Sequence, residues 1–442
     1  MNNIVIIGFQ SAGLTAAAAA HIHDRRAEVT VVERRSYATY HPCGLPYAIS
    51  GDVSDIHELV EDEPKMLGVD VRLGKEAKYI DTKAKNVSIQ DLKTKSEEKI
   101  SYDSLILATG GLALKPSIPG VDLKNVFTLR TVEDGKDIIA SLAKSKRAVV
   151  VGAGPIGVEV ASALKKKGLE TTIVELLPNI LPGMLDSDMA ATVSEHLNKA
   201  EIAVKYGQPV QEIRGKDKVK SVILKDEEIS TDLVILSVGV RPDVELAKKI
   251  GLEVGSTGMI AVDDHLRTSA ADVYAAGDCA ETRCFITKNP IRSQLATTAI
   301  RMGKVAGKNV VGGDEIFPGV LNTVVCSAFG LEVAATGLTS RIAKDVGIDV
   351  AAGRFRTLSK PRYFPGAELL VVKLVADKSN NKIIGGQIIG DGATERTNVL
   401  ALAITKGVTV HEMSQMEYSY APPFNDCIEP VVVAADALLR RM

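Results

Sequence analysis

The sequence predicts an α/β protein built from two copies of one βαβ unit, the second inserted within the first, and closed by a C-terminal α+β domain. Three observations predict it. An apolar strand, a glycine turn and an alanine-rich helix follow one another at Ile4-Val5-Ile6-Ile7-Gly8-Phe9-Gln10-Ser11-Ala12-Gly13, and again at Val149-Val150-Val151-Gly152-Ala153-Gly154-Pro155-Ile156-Gly157. Each copy leads to a second apolar strand that ends in an acid, Glu33 or Glu175, 20 and 18 residues past the last motif glycine. Each copy then closes with a strand running into glycine, at residues 104–110 and 233–239. Continuous apolar runs of this kind suit strands buried on both faces of a parallel sheet.

The remaining elements follow in order. After Gly110, Pro116, Pro119 and Gly120 read as a crossover linker. The polar, lysine-rich stretch 82–99 reads as surface strands and a turn. Ala271-Asp272-Val273-Tyr274-Ala275-Ala276-Gly277-Asp278 reads as a strand returning to the first unit, which makes the second unit an insertion. From about Phe317 the pattern becomes β-rich, with a hairpin of 369–375 and 383–389 joined through 377–381, then helices at about 392–406 and 428–440. The expected boundaries are 1–115 and 244–315 for the first domain, 116–243 for the second and 316–442 for the third.

Composition narrows the class. The 442 residues are 45% hydrophobic and carry 53 Lys+Arg against 55 Asp+Glu, which excludes a disordered chain and gives no electrostatic reason to expect nucleic acid. Five irregularly spaced cysteines form neither a disulfide scaffold nor a zinc pattern, and point to a reducing compartment. No apolar run reaches the roughly 18 residues of a membrane span, and residue 4 already begins a strand rather than a leader. The expectation is a soluble, cytoplasmic protein without membrane or nucleic-acid partners. The 37 glycines are expected in backbone turns near ligands.

A glycine turn between a strand and a helix is the pattern of a pyrophosphate site, where N–H groups at the helix N-terminus face the phosphates. The first copy departs from it, since Gln10 replaces the middle glycine; the second is complete. Glu33 and Glu175 are placed to accept from ribose hydroxyls. The candidate nucleotide-contacting residues are Gly8, Ser11, Ala12, Gly13, Glu33, Arg34, Thr109 and Gly110 in the first unit, with Gly277 and Asp278 on its returning segment. In the second they are Gly152, Gly154, Ile156, Gly157, Glu159, Glu175 and Gly239.

In this linear order the chain resembles the flavoproteins with two dinucleotide-binding domains, the pyridine nucleotide-disulfide oxidoreductases. The resemblance implies two Rossmann-like domains, the NAD domain inserted in the FAD domain, and a C-terminal dimerisation domain. It implies FAD in the first unit, NADH with NADPH possible in the second, and Asp278 on the flavin's ribitol. Cys43, in Tyr40-His41-Pro42-Cys43-Gly44-Leu45-Pro46-Tyr47, decides the branch. Ala38 and Ala48 stand five residues to either side, so the paired cysteines of glutathione-reductase-like members are missing. The segment is similar to the single-cysteine branch, which includes coenzyme A-disulfide reductases, NADH oxidases and NADH peroxidases. Pro42 and Pro46 suit a helix's first turn, so Cys43 is expected at the positive end of a dipole, with its thiol lowered from about 8.5.

Oxidases and peroxidases of that branch usually carry His where this chain has Ser11, which favours disulfide reduction. Tyr420, in Tyr418-Ser419-Tyr420-Ala421-Pro422-Pro423, resembles a tyrosine that the partner subunit contributes to the cysteine pocket, and Tyr363 resembles a second aromatic there. The catalytic set implied is therefore Cys43, Tyr420 and Tyr363. Glu159 matches a glutamate facing the nicotinamide, or is a solvated acid. Thr15, Thr39 and Pro42 fit positions along the path of a thiol substrate, with coenzyme A as the leading substrate and product; Ala19 and Ile22 stand where some members have polar or basic groups. Arg25, Arg26, Arg34, Arg35 and Lys65 are the cations available for a phosphorylated tail. The implied function is a homodimeric NAD(P)H-dependent reductase of coenzyme A disulfide or a related small disulfide, persulfide or polysulfide. An NADH oxidase, an electron-transfer reductase and a redox sensor remain as alternatives. Cys427 could approach the partner's redox centre, and Cys279, Cys284 and Cys326 read as structural with no metal spacing.

Overall fold

The structure is a computed structural model that describes residues 2–63, 66 and 68–442; Lys65 lies outside the described residues. The chain divides into two compact units. Met1–Leu45, Ser54–Ala113 and Val240–Val320 form one, and Pro46–Val53, Leu114–Gly239 and Leu321–Met442 form the other. Among the described residues no helix is long and apolar enough to cross a membrane.

The first unit is organised by a parallel sheet with the order Val273–Ala275, Ser104–Leu107, Asn3–Ile7, Glu28–Glu33, Val69–Leu73. Leu105, Ile106 and Leu107 are fully buried in one cluster with Ala16 and Ala20 of the helix Ser11–His23, Ala306 of the helix Ala296–Asn309, and Val87 and Ile89 of a three-stranded antiparallel sheet. Each such aliphatic side chain contributes about 1.5–3 kcal/mol on burial. Tyr274 lies opposite Ile106, so the returning strand expected from the sequence is present. The two helices cross closely because Gly303 and Gly307 face Ala12 and Ala16; a Cβ on either glycine would meet the alanine backbone. Some of the glycine content thus serves helix packing rather than ligand turns.

The second unit repeats this sheet with the order Val126–Thr128, Leu233–Leu236, Arg147–Val151, Glu170–Val174, Ile202–Lys205. The registers correspond, with Asn3 opposite Glu28 and Arg147 opposite Glu170. In each copy a segment from outside the repeat fills the edge beside the closing strand: Val273–Ala275 arrives from downstream and Val126–Thr128 from upstream. The same unit contains an antiparallel sheet ordered Val324–Ala328, Leu331–Gly337, Ile383–Gly390, Leu369–Asp377, Val350–Leu358, with the helices Ala393–Lys406 and Pro430–Leu439.

A buried ion pair ties that antiparallel sheet to the helix Ser187–Lys199. Lys373 Nζ lies 3.0 Å from Asp186 Oδ2 and 2.6 Å from Asp188 Oδ1, with Lys373 and Asp186 side chains 9% and 8% exposed. Gln387 Nε2 donates to Asp186 Oδ2 at 2.9 Å, and the Asp186 N–H donates to Gln387 Oε1 at 2.8 Å. Burial works against the Asp186 charge, but the Gln387 amide and the Lys373 ammonium hold its carboxyl below the usual carboxylate range. Lys373→Ala is expected to cost about 3 kcal/mol, as for a buried pair stripped of one partner, read from the urea midpoint. Because the folded pKa lies below the unfolded value of about 3.9, the carboxylate's stabilisation is complete above that value and lost as pH falls through the folded one. The difference between wild type and variant should therefore shrink as the titration is repeated at progressively lower pH.

Candidate active site

The two glycine turns share one geometry. Gly8 and Gly152 have φ of 102° and 104°, and a Cβ on either would strike the carbonyl oxygen of Ala108 or Ser237. On Gly13 and Gly157 a Cβ would strike the carbonyl of Gly8 or Gly152. Only glycine allows the helix's first turn to sit this directly on the strand end. Neither N-cap residue, Gln10 nor Gly154, caps its helix with a side chain, so Ser11, Ala12 and Gly13, and in the second copy Ile156 and Gly157, present first-turn N–H groups suited to an anion. Both turns fit a dinucleotide's pyrophosphate.

Gly277, with φ of 83°, packs on Ala12, which brings the half-buried Asp278 beside the first turn. Thr109 Oγ1 donates to the Asp243 carbonyl at 2.6 Å, and the Asp243 N–H donates to the Gly110 carbonyl at 2.9 Å. Gly110 and Gly239 both take positive φ, 74° and 113°, where their strands end.

Glu33 and Glu175, expected to meet ribose hydroxyls, are 2% and 7% exposed and engaged within the protein. Glu33 accepts from the Phe9 N–H at 2.8 Å and from Arg35, whose Nε and Nη2 donate at 2.9 and 2.7 Å. Glu175 accepts from the N–H groups of Ala153 and Leu177 at 2.6 and 2.8 Å. Each acid thus staples its glycine turn to the second strand. Arg34, singled out in the sequence, is exposed; its neighbour Arg35 carries the ion pair.

Cys43 is exposed. The helical first turn expected around it is instead a three-residue 3-10 turn, Pro42–Gly44, followed by the six-residue helix Leu45–Ser50. The Gly44 N–H donates to His41 and the Leu45 N–H to Pro42, an i to i+3 pattern that lets Gly44 pack on Leu59. So short a helix carries a smaller terminal charge than the sequence reading assumed. Thr39 is 6% exposed and opposite Glu61, the Thr15 hydroxyl donates to the Ser11 carbonyl at 2.7 Å, Pro42 is half-buried, and Ile22 is 69% exposed.

In the second unit Glu159 is no solvated acid. Tyr47 Oη donates to its Oε1 at 3.3 Å, as does the Ser327 N–H, and burial raises its carboxyl above the usual range against both donors. Sequence reading passed over Tyr47, although its place one turn past Cys43 was a usable signal. Burial, and then the nearby Glu159 charge, push Cys326 up to about 12. Cys279 and Cys284 are also buried, Cys427 is exposed, and no cluster able to hold a metal occurs among the described residues. The Tyr363 and Tyr420 hydroxyls lie 3.5 Å apart on the exposed edge of the C-terminal segment, and Tyr363 pushes Tyr420 up to about 12.

Paired glycine turns at the strand ends of two parallel sheets define the class, an oxidoreductase with two dinucleotide-binding units. The chain belongs to the pyridine nucleotide-disulphide oxidoreductase family, whose model matches residues 2–303, while the family's dimerisation domain matches 323–431. It is 37% identical to an NADH oxidase of Methanocaldococcus jannaschii over 99% of both chains, and 33% identical to a CoA-dependent NAD(P)H sulfur oxidoreductase of Pyrococcus abyssi over 98% of both. Among solved structures it is similar to an NAD-dependent persulfide reductase from A. fulgidus, with a TM-score of 0.95 and 35% identity over 99% of this chain and 83% of that one.

Tyr47→Phe deletes a donor to ionised Glu159, so the carboxyl should protonate at higher pH than in the wild type. Carboxyl carbon NMR of selectively labelled protein should show the Glu159 titration displaced to higher pH.

Proposed function

We propose that the protein is an FAD-dependent NADH:disulfide oxidoreductase that reduces coenzyme A disulfide, or a related small disulfide, persulfide or polysulfide, through Cys43. The observation that carries this reading is Cys43 itself, exposed in its turn and flanked by Ala38 and Ala48 rather than a second cysteine. In this reading residues 1–115 and 244–315 form the FAD domain, with Gly8, Ser11, Ala12, Gly13, Glu33, Thr109, Gly110, Gly277 and Asp278 lining its site. Residues 116–243 form the NADH domain, lined by Gly152, Gly154, Ile156, Gly157, Glu159, Glu175 and Gly239. Bound together, the two groups supply a two-electron path from nicotinamide to flavin.

The protein's own residues do the thiol chemistry. The Cys43 thiolate attacks one sulfur of RS–SR, forms Cys43–S–S–R and releases RS⁻, which takes up a proton. Two electrons and a proton from NADH then break the mixed disulfide into the Cys43 thiolate and a second RSH. In a homodimer built on residues 316–442, Tyr363 and Tyr420 face the other copy's cysteine pocket. Tyr420, raised to about 12, keeps its proton near neutral pH and donates to the leaving thiolate. Thr15, Thr39 and Pro42 belong to the walls of the substrate path. NADH oxidation by oxygen is the second reading, favoured by the 37% identical relative named an NADH oxidase.

Cys43→Ser separates the two. The variant should bind FAD and accept hydride from NADH, but disulfide reduction should fall by about 10³-fold or more, since a serine hydroxyl is not ionised and forms no mixed disulfide. Stopped-flow bleaching of the flavin without the long-wavelength thiolate absorbance is the expected trace; coenzyme A disulfide reduction at the wild-type rate would refute the single-cysteine mechanism. Water formation replaced by peroxide would instead support the oxidase reading.

Nicotinamide choice should follow Glu175, because in this reading a carboxylate at the end of the unit's second strand accepts from a free 2'-hydroxyl and repels a 2'-phosphate. NADH is expected to be preferred, and Glu175→Ala should narrow the NADH-to-NADPH ratio of kcat/KM by about tenfold or more, roughly the effect of one lost charge repulsion. An unchanged ratio would remove Glu175 from the assignment.

A further inference from the structure

Gln10 occupies the place where a dinucleotide turn usually has its middle glycine, yet its backbone needs no glycine, with φ of −93° and ψ of −168°. Its side chain is directed to the strand Thr39–Tyr40, just ahead of the Cys43 turn. With the amide oriented to match donors with acceptors, Gln10 Nε2 donates to the Tyr40 carbonyl at 3.0 Å and Oε1 accepts from the Tyr40 N–H at 3.2 Å. The same oxygen accepts from Arg35 Nη1 and Nη2 at 2.9 and 3.0 Å. Arg35 is fixed in turn by Glu33, by the Tyr40 ring at 5.0 Å and by the Tyr37 ring at 5.7 Å. Glu33 closes the circuit on the Phe9 N–H, inside the glycine turn.

Both backbone groups of Tyr40, three residues before Cys43, are therefore bound by one side chain of the glycine turn. On its other side the Cys43 segment is held by strand pairing of Tyr40 with Val60 and by the His41 N–H donating to Leu59 at 2.9 Å. The Leu59 side would hold the segment to its own hairpin, whereas the Gln10 side fastens its backbone to the turn suited to the flavin nucleotide.

We propose that Gln10 is a positioning residue for Cys43: it fastens the cysteine turn to the first glycine turn and so sets where the sulfur stands relative to the flavin. This rests on the FAD and Cys43 reading above. Glycine at this position would serve the pyrophosphate turn equally well and would remove both hydrogen bonds from Gln10 to the Tyr40 backbone. Gln10 acts through Cys43, without contact to the reacting atoms.

The test uses the holoenzyme and the variants Gln10→Gly and Gln10→Glu. Gly is the residue a dinucleotide turn accepts, so the variant should fold, and its Kd for FAD should stay within about threefold of the wild type. Hydrogen exchange of a peptide covering residues 38–44 should accelerate about tenfold, the effect of losing one to two net hydrogen bonds, while residues 4–9 remain unchanged. The long-wavelength thiolate-to-flavin absorbance of the two-electron-reduced enzyme should fall by about half or more. Gln10→Glu keeps the acceptor for Arg35 and the Tyr40 N–H but loses the donor to the Tyr40 carbonyl, so its exchange rate should fall between the two. Unchanged exchange, an unchanged absorbance, or loss of FAD binding in Gln10→Gly would each overturn the proposal, the last by moving Gln10 into the nucleotide site. Were Cys43→Ser to reduce disulfides normally, the functional reading would fail, while the exchange comparison would still decide whether Gln10 holds the segment.

Discussion

Most of the architecture depends on a close backbone approach made twice. A helix can seat its first turn on the end of a strand only if no side chain intervenes, and Gly8 with Gly13, and Gly152 with Gly157, remove the atoms that would intervene. The positive φ of Gly8 and Gly152 turns the chain sharply enough for the helix to run back along the sheet. One constraint thereby fixes the helix direction, keeps the strand end buried and presents first-turn N–H groups to an anion. The later packing of Gly277, Gly303 and Gly307 on the first helix extends it, since Gly303 and Gly307 bring their helix against the backbone of Ala12 and Ala16, and Gly277 meets the Ala12 side chain.

The acids ending the second strands solve a related problem in two ways. A carboxylate as buried as Glu33 or Glu175 is costly unless its lone pairs are filled. Both accept from an N–H of their glycine turn, Phe9 or Ala153, so each holds its turn against the neighbouring strand. Both also accept from the N–H two residues further on, that of Arg35 or Leu177, but Glu33 is in addition paired with the Arg35 guanidinium. The first acid is thus a node in a charged cluster reaching the cysteine segment.

The segment after Cys43 belongs physically to the second unit. Pro46–Val53 is held there by Tyr47 on Glu159 and by Asp52 on Lys166, both on the helix Pro155–Lys166. Ser327 and the Ser162–Phe329 contact bind the same helix to the strand Val324–Ala328 and the turn beyond it. The glycine helix of the second unit is therefore the element on which Pro46–Val53 and the C-terminal sheet both rest.

The duplication, the parallel strands, the inserted order and the hairpin were legible in the sequence because they rest on periodicity and on glycine at fixed offsets, which are local properties. Cys43 was legible by its residue type and the alanines around it. The tertiary structure alone decided which partners the singled-out residues meet. Glu159 is half-buried and hydrogen-bonded by Tyr47 and Ser327, 112 and 168 residues distant along the chain. The turn at Cys43 is 3-10, and Gly44 within it packs on Leu59, fifteen residues further on. Gln10, which in the sequence was only a departure from a motif, acquired its bonds from Tyr40, thirty residues further on. Local pattern sets which elements form, whereas the direction of a polar side chain is set by neighbours distant in the chain, and those exist only once the chain has folded.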